Sequence, residues 1–406
     1  MKFLFFILPA SGHLNPTLAV AKALVERGDE VIYYLPEREA PRVRNAGAKV
    51  HVLGEQFASP ESKLAAQGVP DGSASLGRFI PVIMHALADG LRGAPAVAQQ
   101  VRAEAPDCIV YDPMCTWGRL VAEMVGARRA VFNTTYVLAA DSKLVRLMRA
   151  QMRPNFAILR AMARLLWASE RLHWRYGTQR VVPPAIFTAT EGLNLVPMPK
   201  RFHPDADQLD GRYLFIGPSL MEQRDTHDFP LAQLEGKPTL YISLGTTPLG
   251  RRPDFYRACF EAFGGTRWQV VLALSGMDPS TLGPVPENFL VRARVPQLEV
   301  LQRAQVFITH GGMGSTMEGV WFGVPLVVVP QMPEQALSAT RIEELGGGVH
   351  LPPENATPDA LRRAVEKVSE EPGYKQRILE LQAAAREAGG AQRAAEALRE
   401  YAARKG

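Results

Sequence analysis

A repeated alternation of buried strand, tight loop and amphipathic helix constrains this chain more than any single residue. The first unit is the apolar run Phe3-Leu4-Phe5-Phe6-Ile7-Leu8, then a short loop. Leu14, Leu18, Ala21 and Val25 follow at helical spacing, and residues 30–35 form a second apolar run. Asn15 reads as the N-cap, Pro16 as the first helical residue and Gly28 as the stop. Strand, loop, helix and strand make a βαβ unit, whose two strands lie parallel in one sheet. The same terminus has the outline of an export signal: a lysine, an apolar stretch and small residues at Ala10-Ser11. The apolar stretch is short for that role, and cleavage would remove the central strand of the sheet. The segment is therefore read as retained, which puts His13 on the loop behind a buried strand, where reactive groups are displayed.

The rhythm continues through candidate strands at 49–53, 108–111, 129–132, 192–196 and 213–216. A proline-rich stretch between Pro197 and Pro238 interrupts it. Further strands are expected at 239–244, 269–274, 306–309 and 326–329. A chain of 406 residues is too long for one ordinary core. The expected architecture is α/β: two Rossmann-like domains whose parallel sheets face each other across a cleft. The first domain covers 1–215, a linker 216–237 and the second domain 238–389. Residues 390–406 form a charged, Ala-rich helix with the option of packing back on the first domain.

Composition removes several function classes. The balance of 46 basic against 41 acidic residues gives a net charge of +5, spread along the chain without a basic stripe, so no nucleic-acid partner is expected. Cys108, Cys115 and Cys259 form no C-x-x-C pair, which argues against a Cys-based zinc site and fits a reducing, cytoplasmic setting. Outside the N-terminus no apolar run is long enough to span a bilayer, so no stable membrane insertion is expected.

The densest chemical motif is Thr309-His310-Gly311-Gly312-Met313-Gly314-Ser315-Thr316-Met317-Glu318. A buried strand runs into three glycines, which let backbone approach a ligand closely. Ser315 or Thr316 would cap the following helix, whose free N–H groups favour a pyrophosphate. His310 can add a hydrogen bond or a positive charge. Glu318, one turn on, can reach ribose hydroxyls.

The stretch from Arg294-Val295-Pro296-Gln297 through this motif to Pro330-Gln331-Met332-Pro333-Glu334-Gln335 resembles the nucleotide-sugar signature of glycosyltransferase family 1. The likeness is greatest to its bacterial macrolide-type branch, and Gly12-His13-Leu14-Asn15-Pro16 matches that branch's N-terminal loop. The resemblance implies the GT-B fold, with the acceptor bound mainly by the first domain and the nucleotide-sugar by the second. It also implies inversion at the anomeric carbon and no catalytic metal or other cofactor. By motif, Val295 would bind the base through its backbone, with Gln297 close to the nucleoside. His310, Gly312, Gly314 and Ser315 would hold the pyrophosphate, Glu318 the ribose, and Glu334 and Gln335 the donor sugar. Ser243 and Thr246 would line the phosphates or the base. Two departures stand out: plant members carry Trp at the position of Val295, and Glu334 replaces a commoner Asp.

His13 then has a physical role. Transfer to an alcohol requires the hydroxyl to lose its proton as it attacks, and an imidazole titrating near neutrality suits that task. Its second nitrogen needs a carboxylate to set the tautomer. The resembled family uses such a His–Asp dyad. Asp112, at the end of a neighbouring strand, fits better than Asp107, which precedes the same strand. The triplet Asp205-Ala206-Asp207 has the form of a metal-binding D-x-D, but it falls in the proline-rich stretch with no strand before it and reads as a solvated loop. The Met- and Trp-rich stretch from 148 to 174 reads equally as helical core or as the wall of an adaptable apolar acceptor pocket. Met114, Met148, Met152 and Phe156 are its candidate residues.

The combined expectation is an inverting, metal-independent transfer of glucose from UDP-glucose, or of a sugar from a dTDP-sugar. The acceptor is a hydroxyl of a hydrophobic macrolide-, polyketide- or flavonoid-like molecule. A nucleotide-sugar epimerase and a non-catalytic nucleotide-sugar binder are the alternatives.

Overall fold

The computed structural model describes residues 1–66, 76–137, 156–182, 189–221, 229–247 and 250–404. Its described strands form two wholly parallel sheets. The first has β1 (Lys2–Phe6), β2 (Glu30–Leu35), β3 (Lys49–Val52), β4 (Cys108–Tyr111), β5 (Arg129–Phe132), β6 (Asn194–Val196) and β7 (Tyr213–Phe215) in the order β3-β2-β1-β4-β5-β6-β7. The second has β8 (Thr239–Ser243), β9 (Gln269–Ala273), β10 (Phe289–Arg292), β11 (Ala304–Thr309), β12 (Leu326–Val328) and β13 (Gly348–His350) in the order β10-β9-β8-β11-β12-β13.

The N-terminal apolar run is continuous because both faces of its strand are covered. Side chains alternate across β1. Phe3 and Phe5 enter one core with Leu14, Leu18 and Tyr33, and Leu4 and Phe6 enter another with Tyr34, Leu91 and Trp117. The Phe5 and Tyr33 rings stack at 4.8 Å. Two short strands escaped the sequence reading. Both β10 and β13 are sheet edges of three or four residues, too short for a period to register.

The helices that matter for the site are α1 (Ser11–Glu26), α2 (Leu76–Glu104), α3 (Thr116–Val125), α4 (Phe156–Tyr176), α5 (Met313–Phe322), α6 (Pro333–Glu344) and α7 (Gly390–Ala403). The terminal helix α7 leaves the second domain and lies on α1. Its Ala394, Ala395 and Leu398 share a core with Leu14 and Leu18 of α1. Gly390 N–H donates to Ile216 O at 2.6 Å, and Arg399 pairs with buried Asp29 at 3.1 Å. The domains also meet at Arg341 of α6, which donates to Phe202 O at 3.0 Å and Arg201 O at 2.6 Å. Among the described residues no helix is long and apolar enough to cross a membrane.

In each sheet the strand order reverses once, between β1 and β4 and between β8 and β11. The register pairs Phe6 with Tyr111 in the first sheet and Ser243 with Thr309 in the second. At such reversals neighbouring loops diverge and leave a crevice at the carboxyl ends of the strands.

Candidate active site

The first crevice holds His13 and Asp112. Helix α1 begins at Ser11, with Ala10 at its N-cap, five residues earlier than expected. His13 therefore stands in the first turn of a helix, not on a loop. Asn15 is helical and binds Arg42 through its side chain, so it does not cap. Pro16 lies inside the helix, where the missing N–H costs one bond to Gly12 O. The early start rotates His13 towards the end of β4. There its Nδ1 bonds Asp112 Oδ2. Asp112 is fully buried, and its other oxygen accepts the Met114 N–H at 2.8 Å. With both carboxylate oxygens engaged, the imidazole is held in one orientation.

A third residue joins them. Thr134 Oγ1 lies 2.8 Å from the same His13 Nδ1. The sequence reading missed it, although it stands just past β5 on the same sheet edge, a position that signals a loop facing the crevice. Asp107 is at the opposite edge, where it accepts the Lys2 N–H at 2.7 Å.

The second crevice is built on α5. The helix starts at Met313 with Gly312 as N-cap, so Ser315 is its third residue and neither Ser315 nor Thr316 caps it. Thr316 N–H already bonds Gly312 O at 2.9 Å, and the first-turn N–H groups before it face the crevice side of the helix end. His310 is buried between two glycines. A Cβ on Gly245 would come within 2.6 Å of its ring, and one on Gly312 closer still. Gly245 and Gly311 also hold φ values of +85° and +82°, open to glycine at no steric cost. Burial pushes the His310 imidazole down to about 4, so it is neutral at physiological pH. Of the two roles open to His310, a hydrogen bond or a positive charge, burial favours the hydrogen bond of a neutral imidazole. His310 Nδ1 is buried without a hydrogen-bond partner among the described residues.

Glu318 is buried, and its carboxylate takes a hydrogen bond from Gln297 Nε2. The same amide nitrogen lies 3.3 Å from Ser315 Oγ, and the amide oxygen accepts from Tyr241 OH at 2.8 Å. Gln297 thus ties three elements together beneath the crevice. Tyr241 was absent from the candidate residues, and nothing in its local sequence separates it from an ordinary core tyrosine. Ser243 is buried and its Oγ accepts the Gly245 N–H at 3.3 Å, whereas Thr246 is exposed. Val295 is packed in the core of the second domain. Gln335 is buried with its amide oxygen on the Gln331 N–H at 2.7 Å.

The crevices face each other. Glu334, in the first turn of α6, is raised by burial, and the proximity of His13 partly opposes that rise. Tyr136 OH, after β5, donates to Ser338 Oγ on α6 at 3.3 Å and pins this helix to the first domain.

A small apolar pocket opens beside Leu8 and Pro9, the segment leading to His13. Met114 lines it with Phe57, Ile83, Leu87 and Trp117. Phe156 does not: it is 81% exposed at the start of α4. Met148 and Met152 lie outside the described residues. Asp205 and Asp207 are on a surface turn around residues 206–208, where Asp207 pairs with Lys200 at 3.1 Å.

Two Rossmann-like domains with opposed switch points, one presenting a His–Asp pair and the other a glycine-rich helix start, define a GT-B protein. Comparison with known proteins narrows the class. Residues 259–399 match the family model described as erythromycin biosynthesis protein CIII-like, C-terminal domain. The chain is 36% identical to the NDP-glycosyltransferase YjiC of Bacillus subtilis (strain 168) over 390 residues, covering 96% of this chain and 94% of that protein. It is 32% identical to the demethyllactenocin mycarosyltransferase of Streptomyces fradiae, covering 95% and 83%. Its structure matches CalG4, the calicheamicin glycosyltransferase, with a TM-score of 0.77 and 29% identity over 99% and 98% of the two chains. The chain belongs to the macrolide-type family of natural-product glycosyltransferases.

Proposed function

We propose that this glycosyltransferase moves glucose from UDP-glucose, or a related sugar from a dTDP-sugar, to a hydroxyl of a hydrophobic small molecule, with inversion and without a metal. The observation that carries this reading is the position of the His13–Asp112 pair against Glu334 across the cleft. In the proposed reaction the acceptor oxygen attacks the anomeric carbon from the first domain. The bond from that carbon to the diphosphate breaks, and the nucleotide leaves with the electron pair. Because Nδ1 is held by Asp112, the acceptor proton passes to Nε2, and Asp112 stabilises the imidazolium. Thr134 contacts the same Nδ1 and helps hold the ring, leaving Nε2 clear. The start of α5, with Gly312, Gly314 and Ser315, receives the growing negative charge of the diphosphate. The unpartnered Nδ1 of His310 supports this assignment, since a buried polar atom without a partner costs about 1–3 kcal/mol and a phosphate oxygen relieves it. Gln297 and Glu318 meet the nucleoside, Glu334 and Gln335 the sugar. The pocket at Met114 takes the acceptor.

The first test is thermal denaturation of the full chain with UDP, dTDP and NAD, each with and without EDTA. A nucleotide at a hundred times its Kd stabilises by about 2.7 kcal/mol, a rise of roughly 5–11 °C at 2–4 °C per kcal/mol. A rise with UDP or dTDP that survives EDTA is expected and chooses the nucleotide. No rise with either, or one abolished by EDTA, sinks the metal-free donor site. With that donor and an acceptor panel, His13→Ala lowers kcat about 10²–10⁴-fold and leaves the nucleotide shift intact. Unchanged turnover in the folded variant removes His13 as base. A donor epimerised without acceptor moves the enzyme to the alternative class.

A further inference from the structure

Helix α4 (Phe156–Tyr176) has two apolar faces. One is the expected core face, with Ile158, Ala161, Leu165, Ala168 and Leu172 buried. The other is in water: Phe156 is 81% exposed, Leu159 59%, Trp167 58% and Trp174 78%. At 3.6 residues per turn, Phe156, Ala163, Trp167 and Trp174 fall on one line opposite the buried face. Leu159 and Leu166 extend that line to one side. Arg160, Arg164, Arg171 and Arg175 form a stripe on its other side. A surface helix of a globular domain normally turns its polar face outward, and contiguous exposed apolar surface marks an interaction site.

We propose that this face of α4 is a peripheral docking surface for an anionic lipid bilayer. Tryptophan rings settle at the headgroup level, where an apolar body and a polar N–H are both accommodated. The flanking arginines supply charge complementarity to anionic headgroups. The helix carries four arginines against one acid, Glu170, which Arg180 neutralises with contacts of 2.8 and 3.0 Å. Arg171 already stacks over Trp167, 5.6 Å from the ring, so cation and indole are presented together. A second copy of the chain is the poorer occupant, because a two-fold contact would set the same arginine stripe against itself. The binding is interfacial, not spanning. Helix α4 packs on α2, which lines the apolar pocket through Ile83 and Leu87, so docking would bring that pocket to the source of membrane-dissolved molecules. The docking itself does not depend on the glycosyl-transfer reading.

The test is co-sedimentation of the full chain with vesicles of phosphatidylcholine alone and of phosphatidylcholine mixed with phosphatidylglycerol, with tryptophan emission recorded in parallel. The expected result is binding to the mixed vesicles, weakened by added salt, with a blue shift in emission. The Trp167→Ser/Trp174→Ser variant should bind at least about tenfold more weakly, and the Arg160→Gln/Arg171→Gln variant should lose the preference for phosphatidylglycerol. The unliganded melting midpoint serves as the folding control for both. No binding to either vesicle overturns the proposal, as does equal binding by the tryptophan variant. A concentration-dependent dimer that the tryptophan variant abolishes, with no vesicle binding, assigns the face to self-association instead.

Discussion

His203 and His310 are buried imidazoles, each pushed by desolvation from 6.5 to about 4. Both are neutral in the folded protein over the working range of pH. Between pH 6.5 and 4 the unfolded chain takes up protons that the folded chain refuses. Their stabilising contribution is therefore complete above 6.5 and lost as pH falls towards 4, by up to about 3 kcal/mol each. His203→Gln should flatten the acid limb of melting midpoint against pH. An unchanged limb would show that other groups set the acid instability. Glu334 works in the opposite sense. Its folded carboxyl is raised by burial, so ionisation costs stability above its folded pKa, and the cost fades as pH falls through that value. Glu334→Gln should raise the melting midpoint at neutral pH while lowering turnover, the pattern of a residue kept for substrate and not for the fold. A variant that melts lower at neutral pH would contradict this. Residue identity made His13, Asp112 and Glu334 candidates. That Glu334 lies close enough to His13 to feel its charge could not be read locally, because the two stand in different domains.

The elements were legible wherever an apolar run met a glycine or a proline, since those signals act on neighbouring residues. Helix ends were read less well. Asn15-Pro16 has the composition of an N-cap, yet α1 starts at Ser11, and α5 starts at Met313 without a side-chain cap. In both cases the helix end borders the cleft, where first-turn N–H groups left open can meet a ligand. Gly312 shows the constraint. Any Cβ there meets the His310 ring, so Gly312→Ala should displace the imidazole and lower nucleotide affinity by about tenfold or more, or about 1.4 kcal/mol. Tyr241→Phe tests the element below it. Losing the bond to Gln297 frees that amide from its hold on Glu318, which should raise the donor KM several-fold with kcat little changed. Equal losses in KM and kcat would indicate general damage to the second domain.

Across the whole molecule, α7 closes a loop by returning from the second domain to the first. Its Leu398 is fully buried against α1, the helix that carries His13. Leu398→Ala should cost about 2–5 kcal/mol and lower the denaturation midpoint of the first domain, although the residue lies at the far end of the chain. No change would mean that α7 is dispensable for that core. The sequence by itself determined the alternating strand–helix order, hence the parallel sheets, and the glycine-rich helix start. These arise from backbone freedom and side-chain periodicity within a few residues. Only the tertiary structure decided that Asp112 and Thr134, 99 and 121 residues beyond His13, meet on one ring nitrogen, and that Gln297 bridges Tyr241 and Glu318. Contacts of such separation leave no local pattern. They are selected by strand order at the two switch points and by how the domains pack, which are properties of the whole chain.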